Sequence, residues 1–186
     1  MRIKVVTIMM IIGLSFLSFI NGTPDPQQGL QVGNRAPRIC ANLIDGTPID
    51  LDSLKGKMVL IDFWASYDAN SRIENVRKNI IFNRFENSSF FNAEGFVVIS
   101  ISLDRFKTPL RLTIENDELN SFMHMCDYSG QDSELAVTYK VEGNTFPYYL
   151  IDGDGRIVAS NVSIDDIEST LQRLDEKNMS HLALNL

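Results

Sequence analysis

Apolar residues along this chain fall into two kinds of run. MVLIDFWA, residues 58–65, is almost wholly apolar, and so is FVVISISL, residues 96–103. Runs of that length and composition predict central strands covered on both faces. Between them, from Ser71, the apolar positions Ile73, Val76, Ile80, Ile81 and Phe85 recur near a 3.6 period and predict a helix that turns this face to the core. Asp68 or Ser71 suits its N-terminus. ICANLIDGTPIDL predicts a hairpin turning at Asp45-Gly46, and PYYLID and RIVASN flank Gly153-Asp154-Gly155 in another. TPLRLTIEN, from Thr108, has a capping residue followed by a proline and predicts a helix. FMHMC predicts a short strand and DSELAVTYKV a short helix. Ser163 opens a final helix, with Asp165 and Asp166 where the dipole favours acids, and Ile164, Ile167, Leu171 and Leu174 as its apolar side.

The order is hairpin, strand, helix, strand, helix, short strand, helix, hairpin, helix. Such alternation predicts an α/β fold: a mixed central sheet flanked by helices, with an N-terminal β-hairpin. The 186 residues, 44% hydrophobic, suffice for one domain with a sizeable core. We expect that domain over residues 36–176, after a polar leader at 23–35 and before a C-terminal tail at 177–186.

Residues 1–22 have another character. Arg2 and Lys4 precede an apolar run from Val5 to Ile20, and the turn-rich NGTPDPQQG follows. This layout is expected of a secretory signal peptide. The competing reading is a retained anchor, but the run falls short of the roughly 20 residues that span a bilayer. Contact with a membrane is therefore expected only through an uncleaved signal segment. Without Arg2 and Lys4 the formal charge moves from −7 to −9, and no Lys/Arg cluster stands out, so nucleic acid is not an expected partner. Export to the periplasm or envelope would place Cys40 and Cys126 in an oxidising compartment. Their separation of 86 positions leaves open whether they pair or stay free.

Four segments carry a family resemblance: GNRAPRI, LKGKMVLIDFWAS, FVVISISLD and NTFPYYLIDGDGRIV. Together they resemble the thioredoxin-like superfamily, in its TlpA-like and alkyl hydroperoxide reductase/thiol-specific antioxidant branch, over about Gly33 to Leu174. In redox-active members the segment matching FWAS leads through an aromatic residue to Cys-x-x-Cys at the start of a helix. Here the aromatic is Tyr67, and the two cysteine positions hold Asp68 and Ser71. The resemblance implies that Asp62 matches a buried acid placed behind the second cysteine, and that Pro147 matches a cis-proline facing the site.

Disulfide exchange needs a thiolate and a resolving thiol, and neither a carboxylate nor a hydroxyl can replace sulfur. No catalytic residue is therefore expected at the degenerate pair Asp68 and Ser71, and Asp62 is expected to be a relic. Trp64, Tyr67, Phe146 and Pro147 are expected to form a binding surface for an extended peptide or an envelope protein. The alternative is a thiol–disulfide oxidoreductase or peroxidase-like protein that uses Cys40 or Cys126. Asp62 with Ser71 does not suggest a hydrolase, because neither His124 nor His181 is placed by the sequence to complete a triad. Met123, His124, Met125 and Cys126 are soft ligands, yet a strand sends His124 and Cys126 to one face and the methionines to the other. No metal or cofactor is expected.

Overall fold

The computed structural model describes residues 26–143 and 145–176. The expected signal peptide at 1–22 and the tail at 177–186, with His181, lie outside them. Strands β1 (Cys40–Asn42) and β2 (Pro48–Asp50) form the first hairpin. The turn between them closes as the Asp45-Gly46 signal predicts: Gly46 has φ +92°, and the Thr47 N–H donates to Asp45 Oδ1 at 2.8 Å. Next come β3 (Met58–Trp64), helix α1 (Ala69–Phe85), and the two-residue strands β4 (Ser89–Phe90) and β5 (Ala93–Glu94), which the sequence did not suggest. Then follow β6 (Phe96–Ser102), α2 (Lys107–Asn116), β7 (Met123–Met125), α3 (Glu134–Thr138), β8 (Tyr148–Ile151), β9 (Ile157–Ser160) and α4 (Ile164–Leu174).

Five strands make the central sheet, in the order β7-β6-β3-β8-β9. β6 runs parallel to β3 and to β7, whereas β8 is antiparallel to β3 and to β9. β3 sits in the middle, and all seven of its residues are buried. Its alternate side chains feed two cores. Met58, Leu60 and Trp64 pack with Phe82 and Phe85 of α1, Leu110 of α2 and Ile167 of α4. Val59, Ile61 and Phe63 pack on the other side with Ile39, Ile49, Ala136 and Tyr139. Helices thus cover both faces, as the nearly continuous apolar strands require.

Local signals mark the helix ends well. Ser163 caps α4 in a reciprocal box with Asp166, whose N–H donates to Ser163 Oγ at 3.2 Å. α2 begins one residue before Thr108, after Phe106, and Pro109 falls in its first turn, where an N–H has no helical partner. Part of the polar leader is bound to the domain. The Gly33 N–H donates to the Ile157 carbonyl at 2.8 Å and the Ile157 N–H to the Asn34 carbonyl at 2.9 Å, which occupies backbone groups that edge strand β9 would otherwise leave open.

One expectation is reversed. Ile73, Val76 and Ile80 of α1 are 67%, 58% and 58% exposed, and the helix instead buries Ser71, Asn75, Lys78, Ile81, Phe82 and Phe85. Only Ile81 and Phe85 of the predicted apolar face turn inward. The physical reason lies in β3: it presents Asp62, buried in the sheet, and the α1 residue that answers a buried carboxylate is Lys78.

Candidate functional site around the tip of helix α1

β3 ends at Trp64, and Ala65, Ser66 and Tyr67 carry the chain into α1. Asp68 is the N-cap of that helix. Its Oδ1 accepts the Ser71 N–H at 2.7 Å, and its backbone carbonyl accepts the Arg72 N–H at 3.1 Å. The carboxylate is therefore committed to the helix end, where the dipole also favours negative charge. Ser71 is one turn inside. Its hydroxyl is buried and meets no hydrogen-bond partner among the described residues.

Beneath the tip lies a buried polar cluster. Lys78 Nζ donates to Asp62 Oδ2 at 2.5 Å, and the two side chains are 1% and 0% exposed. The Lys78 ammonium also lies 5.8 Å from the ring centroids of Trp64 and Tyr148. Burial pushes the Asp62 carboxyl above its usual range, and the charge of Lys78 opposes that rise. The Tyr148 hydroxyl donates to Glu74 Oε2 at 2.6 Å, and burial, then Asp62 and Glu74, raise its pKa. Arg72 grips Asp117 with two bonds of 2.6 Å, and Asn75 adds a third at 2.9 Å. Burial works to raise the Asp117 pKa, but these bonds outweigh it and hold the carboxyl low.

On the other side of the tip, Asp104 is buried and locks the turn. It accepts the Ser66 hydroxyl at 2.5 Å, the Ser66 N–H at 3.0 Å and the Ser102 hydroxyl at 2.6 Å. Lys78, Asp104 and Asp117 were not singled out from the sequence. Lys78 could have been found, because it shares a helix face with Ser71 and Asn75 at spacings of 4 and 3, opposite the strand that carries Asp62.

The expected binding surface is not assembled as a patch. Tyr67 is 69% exposed beside the tip, but Trp64 is fully buried. Phe146 is half-buried and packs with the core on the opposite face of the sheet from Trp64. Pro147 is buried just before β8, and the Phe146–Pro147 peptide bond is trans. The cis isomer expected there is not adopted. Trans is the intrinsically favoured form by about 0.5–1 kcal/mol.

Neither cysteine stands at the tip. Cys40 is exposed on β1, and Cys126 is half-buried just after β7; both are free thiols. The Cys126 thiol donates to the Asp104 carbonyl at 3.3 Å, and burial, aided by Asp104 and Asp127, pushes its pKa up. That shift disfavours the thiolate. His124 is buried with Nε2 against the Leu119 carbonyl at 2.8 Å, and burial lowers its pKa. It makes no hydrogen bond to Asp62 or Ser71, so no triad forms. Met123 and Met125 pack with one core while Cys126 packs with the other, as strand alternation predicts.

Comparison with known proteins agrees with this architecture. No family model matches the chain. Over 174 residues it is 22% identical to the thiol-disulfide oxidoreductase ResA of Bacillus cereus, spanning 92% of this chain and 94% of that protein. The thioredoxin domain of a thiol-disulfide oxidoreductase from Bacteroides vulgatus superposes with a TM-score of 0.66 at 26% identity, over 78% of this chain and 98% of the other. A thioredoxin-like protein from Parabacteroides distasonis gives 0.62 at 28% identity, over 78% and 98%. By its strand order, its helix tip and these likenesses, the chain has the thioredoxin-like fold and is similar to the TlpA-like branch of the thioredoxin-like superfamily.

Proposed function

We propose that this is an exported thioredoxin-fold protein that carries out no disulfide exchange at the helix tip and serves as a binding or accessory module of the cell envelope. One observation carries the reading: at both positions where exchange would need sulfur there is oxygen, and each oxygen has a structural setting. Asp68 caps the helix and Ser71 is buried beneath it. Dithiol chemistry passes an electron pair between sulfurs through a mixed disulfide, and no atom here can form one. The Asp62–Lys78 pair supports the same conclusion. A carboxyl that serves a thiol by accepting its proton must be free to do so, and Asp62 is held in an ion pair at 2.5 Å. The raised pKa of Cys126 speaks against the alternative thiol enzyme. The partner on this reading is an extended peptide or an envelope protein that meets the tip through exposed Tyr67.

The test is reduction of insulin by dithiothreitol. The wild-type protein leaves the uncatalysed rate unchanged, and so does the variant with Cys40→Ser and Cys126→Ser. The variant with Asp68→Cys and Ser71→Cys gains turnover, because the tip still offers the geometry for a thiolate at a helix N-terminus. Wild-type turnover that disappears with Cys126→Ser would overturn the proposal in favour of the thiol enzyme.

A further inference from the structure

Helix α1 carries two stripes on opposite sides. Ser71, Asn75, Lys78, Phe82 and Phe85 are spaced 4, 3, 4 and 3 and face the sheet. Ala69, Ile73, Val76, Ile80 and Asn83 have the same spacing, two residues earlier, which at 100° per residue turns them outward. Ile73, Val76 and Ile80 form a row of aliphatic side chains each more than half exposed, in a chain whose core needs are met by the inner stripe. The 4-3 spacing is that of a seam filled by a facing helix.

We propose that this seam is a self-association surface, on which α1 of a second copy lies antiparallel about a two-fold axis. Such an interface is isologous, so the same stripe must complement itself, and this one does. With the axis at the level of Lys78, Val76 meets Ile80 of the second copy and Ile73 meets Asn83. On one flank Arg72 meets Glu86 of the second copy, with opposite charges in register; two of the guanidinium nitrogens of Arg72 are engaged by Asp117, which leaves donors for a further acceptor. On the other flank Arg77 approaches its own symmetry mate, but its charge is offset within its own chain by Asp165 at 2.5 Å and Glu168 at 3.1 Å. A parallel pairing would set Arg72 against Arg77 on both flanks and would forgo the pairing of Arg72 with Glu86. The apolar stripe is small beside the roughly 800 Å² per partner of a standard interface, which makes this a weak, reversible association.

Sedimentation velocity of the purified protein over a concentration series from about 1 μM to about 1 mM tests the proposal. We expect a reversible monomer–dimer equilibrium. Val76→Glu and Ile80→Glu, each counted twice by the symmetry, should weaken it at least about tenfold, with circular dichroism and Trp64 fluorescence unchanged. In a background of Cys40→Ser and Cys126→Ser, Asn79→Cys lies next to the axis. Oxidised glutathione should link two copies there, forming one interchain disulfide and releasing two reduced glutathione molecules, whereas Ile73→Cys should link few. A monomer at every concentration overturns the proposal, as does a dimer indifferent to both glutamates. A chain ending at Glu176 that dimerises where the intact chain does not would assign the seam to the chain's own tail, and also overturns it.

Discussion

Lys78→Met removes one charge from the middle of the protein and keeps most of the side chain's volume. The consequence follows from the Asp62–Lys78 pair, held at 2.5 Å with neither partner more than 1% exposed. Breaking a buried pair from one side strands the other charge, at a cost of about 3–5 kcal/mol. That is a large share of the roughly 5–15 kcal/mol that holds a domain of this kind folded, but less than all of it. The pH dependence identifies the cause. Burial already raises the Asp62 carboxyl, and without Lys78 only the long hydrogen bond from the Ser100 hydroxyl, at 3.5 Å, opposes the rise. A carboxyl whose folded pKa exceeds its unfolded value of about 3.9 stabilises the fold in acid and loses that contribution as pH rises toward the folded pKa. The deficit of Lys78→Met should therefore shrink on acidification. At 1.36 kcal/mol per pH unit, going from pH 7 to pH 5 recovers up to about 2.7 kcal/mol. Urea unfolding read by Trp64, the single tryptophan, measures this directly, because the indole lies beside the lost ammonium. Adding Asp62→Leu to Lys78→Met should return the stability to wild type or exceed it by up to about 4 kcal/mol. A loss below about 1 kcal/mol at pH 7 that does not change by pH 5 would refute the reasoning, since it would mean that Asp62 keeps its water.

Asp68→Ala should cost about 1 kcal/mol in the same unfolding assay, because it orphans the Ser71 N–H; no loss would mean that the carboxylate does not cap. Asp117 is held low by Arg72 and Asn75, so its stabilisation is complete above the ordinary carboxylate value of about 3.9 and fades as pH falls through the lower folded value. Asp117→Asn should therefore be less stable than wild type at pH 6, and the gap should close in strong acid; a gap independent of pH would sink this assignment.

How much could be read before the fold was known depends on how local the signal is. The Asp45-Gly46 turn, the Ser163 cap and the two buried strands were legible because each is decided by a few neighbouring residues: a φ of +92°, a hydroxyl three residues from an N–H, an unbroken apolar run. The absence of sulfur at Asp68 and Ser71 was legible too, since it is a matter of atoms and not of geometry. The facing of α1 was not. Two stripes of one period run along that helix, and periodicity cannot say which one turns inward; β3 decides it by presenting Asp62 to Lys78. Trp64 and Phe146 look like neighbours when two loops are imagined side by side, yet they fall on opposite faces of the sheet, because Phe146 precedes β8 and the path of the chain into that strand, not strand alternation, sets where it packs. The sequence by itself settled the order of the main elements, several of their ends and which residues stand at the tip of α1. Tertiary structure alone settled which side of α1 is buried, because the side that this helix hides depends on what the sheet beneath it needs to have covered.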